Sequence, residues 1–346
     1  MRVVKNPYRG AGLVHDALSA VPYPSVDADA PLALLARCPH AGITPLTPVP
    51  TLAAALNVAE IMIKDERNRM GLGSFKALGA AYVIACDAAR GSARGQTYVT
   101  ASAGNHGLSV AAGAAAFGAQ AVIYLANTVP EGFANRLRDI GADVVRAGAD
   151  YEESMTAAMQ AAEDRGAVLL SDSSWAGYTE RPHRLMEGYL ALMAEVFDQM
   201  ASPPTHLFLQ AGVGGLAGAA AAIARDRWGD VPRIIVVEPD AAPCLAASIE
   251  AGAPVETTGP TSAMGRLDCK VASLIALKGL ARDADDFMTI TEAEGQAGDA
   301  LATQHGFAST PSGAAGVAGL VAAQSADMGL TGASRVLLIL SEGPEM

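Results

Sequence analysis

An α/β fold with a largely parallel sheet is the architecture this sequence predicts, on two observations. Short apolar segments alternate with alanine-rich helical stretches along most of the chain, and glycine-rich turns stand where the pattern changes type. "QTYVTAS" reads as a strand and "NHGLSVAAGAAAFG" as the helix after it. "QAVIYLA" is the next strand, with a helix through "EGFANRLRDIG". "ADVVRAG" and "YEESMTAAMQAAEDRG" repeat the pair, and "AVLLSDS" is a further strand. "THLFLQA", "RIIVVEP" and "RVLLILS" have the β-branched or leucine-rich look of buried strands. Earlier in the chain, "PHAGITPLTPVPTL" reads as a connecting segment because of its prolines. The run from about 80 to 170 alternates tightly enough to form one subdomain.

At 346 residues, 51% of them hydrophobic and 17% charged, the chain is long enough for two domains or for a large domain with an inserted lobe. No apolar run of membrane-spanning length is present, and "MRVVKNPYRG" lacks the apolar stretch of a secretion signal. The four cysteines (Cys38, Cys86, Cys244 and Cys269) are scattered without metal-binding spacing, which suits reduced thiols in a cytoplasm and predicts no metal site. A net charge of −12 argues against nucleic acid or an anionic membrane as partner, while leaving room for a small anion in a locally positive pocket.

Only five lysines occur, and one of them, Lys76, follows a glycine-rich turn at the start of an alanine-rich helix in "GLGSFKALGAAYVIA". A cation is electrostatically misplaced at a helix N-terminus. A solvated amine is the plain account; a reactive amine among the small residues Ser74, Ala77, Gly79 and Ala80 is the other.

The second informative stretch is "LFLQAGVGGLAGAAAAIA". A buried strand runs into Gly212, Val213, Gly214, Gly215 and Leu216, and a helix begins. Such a turn aims several backbone N–H groups at one point and can hold a phosphate, where a Cβ would block approach. A close-packed strand-to-helix turn would look similar. Gly212-x-Gly214-x-x-Ala217 with Glu238 at the end of the next strand also fits a dinucleotide fingerprint, so an NAD-dependent oxidoreductase is an alternative. That alternative leaves Lys76 and the loop "TASAGNHG" without a task.

In "TASAGNHG", Asn105 offers an amide and His106 a titratable ring just beyond a strand's C-terminal end. Asn105 could equally be a helix N-cap, and a structural role for His106 is favoured over a catalytic one. Taken together, a lysine amine, a phosphate-holding turn and a loop suited to a carboxylate point to pyridoxal 5'-phosphate, a carbonyl cofactor that acts as an electron sink.

"SFKALGA", "TASAGNHG", "QAGVGGLAG" and "LILSEGP", in this order, resemble the fold-type II (tryptophan-synthase-β-like) pyridoxal phosphate enzymes, over roughly residues 40 to 345. Within that family, "SDSSWAGY" and "LMEGYLALMAEVFDQM" resemble the diaminopropionate ammonia-lyases more than the threonine dehydratases. The resemblance implies a two-lobed α/β architecture with a largely parallel sheet in each lobe. Residues 1–79 and 171–346 would form the large cofactor-binding domain, and 80–170 the small domain with the substrate loop.

It further implies that Lys76 carries the cofactor and later moves protons. Gly212, Val213, Gly214, Gly215 and Leu216 would cradle the phosphate, Asn105 would bond the phenolic oxygen, and Ser341 would face the pyridine nitrogen. Ser102, Ala103, Gly104, Asn105 and His106 would hold the substrate carboxylate. Asp172 matches the position of the base acting on the L-isomer, and Trp175 and Tyr178 would shape the pocket. Ordinary accounts also exist: a loop cap for Ser341, an Asx-turn for Asp172, and core packing for the two aromatic residues. One departure stands out. The ammonia-lyases carry an aspartate, serving the D-isomer, where this chain has Ala103, and threonine dehydratases commonly have alanine there.

The sequence therefore reads as a cytoplasmic pyridoxal phosphate ammonia-lyase, a homodimer by resemblance. It would act by β-elimination on a small L-amino acid, with L-2,3-diaminopropionate favoured. A dehydratase acting on serine, threonine or 3-hydroxyaspartate is the alternative, and a non-catalytic ligand-binding protein on the same scaffold a more distant one.

Overall fold

Runs of β-branched and leucine residues that are apolar on both faces can be satisfied only in a sheet covered on both sides. A computed structural model describes residues 1–344, and among them eleven strands form, of which β8 to β11 are covered in this way: β1 Arg2–Lys5, β2 Leu46–Pro48, β3 Glu60–Asp65, β4 Thr97–Ala101, β5 Gln120–Leu125, β6 Asp143–Arg146, β7 Val168–Leu169, β8 His206–Gln210, β9 Arg233–Pro239, β10 Asp286–Ile290 and β11 Arg335–Leu340. They make two sheets. The larger has the order β1-β10-β9-β8-β11-β3-β2 and the smaller β6-β5-β4-β7. The smaller is parallel throughout. The larger is parallel except at its edges, where β1 and β2 run antiparallel.

The edges depart from expectation. Leu46–Pro48 lies inside the proline-rich segment read as a connection, yet pairs with β3, because an edge strand tolerates a residue without an N–H. "AVLLSDS" contributes only Val168 and Leu169 to its sheet; the chain then leaves the ladder toward Asp172. Helix Ala77–Ala89 begins one residue after Lys76, and helix Gly215–Trp228 begins inside the glycine turn, as expected.

A buried group of charges ties the start of this architecture together. Lys64 on β3 donates to Glu195 (2.6 Å), to the Thr44 carbonyl (2.7 Å) and to Gln199 (2.9 Å). Arg69 bridges Glu66 and Glu195 with contacts of 2.7–2.8 Å. Lys64, Glu66 and Arg69 are fully buried and Glu195 nearly so. Because Glu195 belongs to helix Glu180–Gln199, the network clamps the segment leading to Lys76 onto that helix. Met70, next to Arg69, takes a left-handed conformation (φ 52°), a strained state for a residue with a long side chain that its anchored neighbour holds in place. No helix among the described residues is long and apolar enough to cross a membrane.

Glu238, the acid of the dinucleotide alternative, has a structural employment. It is fully buried, and its two oxygens accept the N–H groups of Leu245 and Ala246 at 2.8 Å, at the start of helix Cys244–Ala251. It is not displayed to a ribose. Burial pushes its carboxyl up to about 8, against the pull of those two N–H groups. An acid whose folded-state value is raised stabilises the fold fully below its unfolded value, about 4.5, and that contribution is lost as pH rises through 8. Chemical denaturation between pH 5 and 8 should accordingly show a downward drift in stability that Glu238→Gln flattens. Parallel profiles for the two proteins would contradict the assignment.

Candidate active site

Parallel strands deliver their loops to one edge, and here five such loops converge. In the large sheet, β8, β11 and β3 are neighbours, and their C-terminal ends lead into the glycine turn, into Ser341–Glu342 and into the segment before Lys76. In the small sheet, β4 and β7 are neighbours and lead into Ser102–Asn105 and into Asp172. Adjacent strands thus gather residues more than two hundred positions apart in sequence.

The centre is an ion pair. Lys76 Nζ donates to Asp172 Oδ2 at 2.5 Å, with both side chains about one-fifth exposed. Burial alone would push the Lys76 ammonium down, but the Asp172 carboxylate overcomes it and the amine is held above its usual range. Conversely, burial would push Asp172 up, and the ammonium holds it well below the usual carboxylate range. The Asx-turn account of Asp172 gives way to this long-range contact.

Tyr189 and Phe75 wall the pair. Lys76 Nζ lies 5.3 Å from the Phe75 ring centre and 5.9 Å from that of Tyr189, and the two rings meet edge to face. Burial pushes the Tyr189 hydroxyl up to about 12, so the wall is neutral. Cys269 adjoins the pair as well, and burial first, then Asp172, pushes its thiol up to about 12. Neither side chain was singled out in the sequence.

The glycine turn reaches this centre. A Cβ on Gly215 would stand 3.6 Å from Tyr189 and 3.9 Å from the Asp172 carbonyl. A Cβ on Gly212 would come within 2.9 Å of the Cys269 sulfur, and one on Gly214, whose φ is +95°, within 3.0 Å of Leu245 and Ala276. Glycine is therefore required at 212 and 214 by contact and, at 214, by backbone conformation as well. Val213 is anchored by its carbonyl, which accepts the Ser273 N–H at 3.0 Å. Gly215 and Leu216 open the following helix, so their N–H groups lie in its first turn, which has no intrahelical acceptor. A close-packed cradle of amides beside a lysine amine fits pyridoxal phosphate, with the turn for its phosphate and Lys76 for its carbonyl carbon.

The asparagine loop folds differently from the N-cap account. Gly104 is the N-cap of helix Asn105–Ala116, and Asn105 is its first residue. The Asn105 amide instead donates to the Glu342 carboxylate. Ser102 Oγ accepts the N–H groups of Gly104 (3.2 Å) and Gly107 (3.1 Å), which shapes the loop. Ala103 offers only a methyl group, and its carbonyl accepts from Arg266 at 3.5 Å. His106 turns inward: Nε2 donates to the Leu170 carbonyl at 2.8 Å, and burial lowers the ring's basicity, so it is neutral.

Trp175 and Tyr178 stack, with ring centres 4.4 Å apart. The Tyr178 hydroxyl donates to the Leu169 carbonyl (2.9 Å) and accepts the Ser171 N–H (3.1 Å), bracing the loop that carries Asp172. Ser341 is buried, its carbonyl accepting from Phe75 N at 3.1 Å. Glu342, Thr310 and Arg266 adjoin these residues and went unnoticed in the sequence. Their placement depends on pairing between distant segments rather than on any local motif.

Residues 38–342 match the family model described as pyridoxal-phosphate dependent enzyme. A diaminopropionate ammonia-lyase of Salmonella typhimurium is 34% identical over 321 residues, which is 83% of this chain and 79% of the relative. A biosynthetic L-threonine dehydratase of the same organism is 30% identical over 216 residues, covering 62% of this chain and 40% of that one. Among solved structures, Escherichia coli diaminopropionate ammonia-lyase in complex with an aminoacrylate–PLP azomethine reaction intermediate superposes with a TM-score of 0.87. It is 28% identical, and the match covers 99% of this chain and 93% of that one. The chain belongs to the family of pyridoxal-phosphate-dependent enzymes, with the two-lobed fold-type II architecture. Within it, its class is that of the pyridoxal phosphate ammonia-lyases, which are carbon–nitrogen lyases. The oxidoreductase alternative is thereby overturned.

Gly214→Asp should sharply weaken cofactor retention, because it strains a left-handed residue and sets a negative charge beside the phosphate. Equilibrium dialysis of pyridoxal phosphate against wild type and variant checks this, and equal retention would remove the turn from the phosphate site.

Proposed function

We propose that the protein eliminates the β-amino group of L-2,3-diaminopropionate, giving a 2-oxo acid and ammonia. The observation that carries this reading is the contact of Lys76 with Asp172 beside the glycine turn. The likeness to diaminopropionate ammonia-lyases over most of the chain supports it.

Pyridoxal phosphate, when bound, supplies an electron sink for the pair left as Cα–H is broken. The residues supply the rest. Lys76 would carry the cofactor and return a proton, and the N–H groups of Gly212 through Leu216 would hold the phosphate. Asn105 and Ser341 would face the ring's polar atoms. Ser341, as a neutral hydroxyl, would offer the ring nitrogen no charged partner. Ser102, Ala103, Gly104 and His106 form the loop at the substrate carboxylate, with Trp175 and Tyr178 bordering it.

Asp172 accepts the Cα proton of the L-isomer. Burial favours its protonated form, and the Lys76 ammonium is what opposes this. Once that positive charge moves away, the carboxylate becomes the more basic group a proton acceptor needs to be. The division into a large domain (1–79 and 171–346, of which 345 and 346 lie outside the described residues) and a small one (80–170) belongs to this reading. So do a homodimer and a cytoplasmic setting, the latter supported by four scattered cysteines.

Borohydride should fix the cofactor onto the peptide containing "GSFKALG", and Lys76→Ala should abolish turnover. A tag found on Lys64 instead would sink the central assignment.

A stereochemical test follows from Ala103, whose methyl group cannot take a proton. Pyruvate release should be confined to L-2,3-diaminopropionate, and Asp172→Asn should keep the cofactor spectrum while lowering kcat about a hundredfold. Equal rates on both isomers, or an unimpaired Asp172→Asn enzyme, would leave Lys76 as the only base.

A further inference from the structure

A buried polar atom beside Lys76 has no hydrogen-bond partner: the hydroxyl of Tyr189. Folded proteins rarely leave such a group alone, because a hydroxyl stripped of water and given nothing in return destabilises the fold. Tyr189 belongs to helix Glu180–Gln199, and its side chain is 1% exposed.

The ring is wedged in place. A Cβ on Gly79, in the first turn of helix Ala77–Ala89, would stand 2.7 Å from Cε1, and a Cβ on Gly215 would stand 3.6 Å from Cε2. Both are the ring carbons beside the one that bears the hydroxyl. The hydroxyl end of Tyr189 is therefore enclosed between the helix that follows Lys76 and the glycine turn. Phe75 closes the slot edge to face, with ring centres 4.9 Å apart. Lys76 Nζ lies 5.9 Å from the Tyr189 ring centre, and the amine and the hydroxyl perturb one another across that gap. No hydrogen bond joins them while Nζ is turned to Asp172.

A neutral phenol offers an amine a partner in either protonation state. It accepts from an ammonium, and it donates to the lone pair of a neutral amine. An ionised Asp172 can do only the first. An amine that is to bond a carbonyl carbon must be neutral, with its lone pair aimed. Paired with Asp172, Lys76 is neither. We propose that Tyr189 is a positioning residue for Lys76: its hydroxyl takes up Nζ when the amine is free of both the cofactor and Asp172, and aims it to recapture the cofactor. This rests on the reading of Lys76 as the cofactor's carrier given above. In the recapture, Nζ bonds to the cofactor carbon as the other amine leaves, and the proton that Nζ loses passes to the departing amine.

The test uses holo wild type and holo Tyr189→Phe, which lacks one oxygen and keeps the ring in its slot. L-alanine, which has no β leaving group, should draw the cofactor off Lys76. Dilution then lets Lys76 take it back, and the visible cofactor band records the rate. Recapture should slow about tenfold or more in the variant. On L-2,3-diaminopropionate, kcat should fall with it while KM changes little. The melting temperature should stay level or rise, because the lost hydroxyl had no partner in the fold. An unchanged rate of recapture overturns the inference. So does a melting temperature that falls by several degrees, since the hydroxyl would then serve the fold. Should Tyr189→Phe not fold, Tyr189→Leu carries the same expectation for recapture and is overturned by the same result. A wild type in which borohydride fixes the cofactor away from Lys76, or whose band L-alanine leaves unmoved, would instead sink the reading on which the inference rests, and the two failures are distinct.

Discussion

The pairing of Lys76 with Asp172 is the contact on which the rest of the site depends, because it joins the two sheets. Lys76 follows β3, next to the edge strand β2 of the large sheet, and Asp172 follows β7, an edge strand of the small sheet. Each partner is costly to bury alone and acceptable when paired. The loops on both sides are therefore held to positions that let the two charges meet. The aromatic wall of Phe75 and Tyr189 and the brace from Tyr178 make that meeting place narrow and partly dry.

Around this one pair, burial silences the other titratable groups. Tyr189 and Cys269 are pushed up and His106 is lowered, so each is uncharged near neutral pH. A site that keeps few charges gives each of them a long reach, since little water screens them.

Much of this was legible from sequence, for reasons that differ by element. Continuous runs such as "RIIVVEP" announce a strand buried on both faces, and the alanine-rich stretches after them announce helices. Glycine turns are legible because contact and backbone conformation forbid a side chain at 212 and 214. The short edge strands were not, since Arg2–Lys5 and Leu46–Pro48 carry too few residues for a period to register, and a partner strand decides their state. Asn105 looked like a cap because asparagine favours that place, yet Gly104 takes it and leaves the amide for Glu342. Glu342 itself follows Ser341 with nothing to mark it, and only its pairing with Ser74, far away in sequence, turns it toward the site.

The buried charges behind Lys76 carry a consequence for how this chain can change over time. Lys64 and Arg69 balance Glu66 and Glu195, two positive against two negative, with hardly any exposure to water. Replacing any one of the four strands an unmatched charge in the interior, at a cost of about 3–5 kcal/mol, a large share of an ordinary protein's whole stability. Replacing all four by apolar groups of matching shape could cost little, but the path there runs through deeply destabilised forms. These four positions should therefore be inherited as a block, and with them the shape of the loop that presents the lysine, however freely the surfaces around it drift.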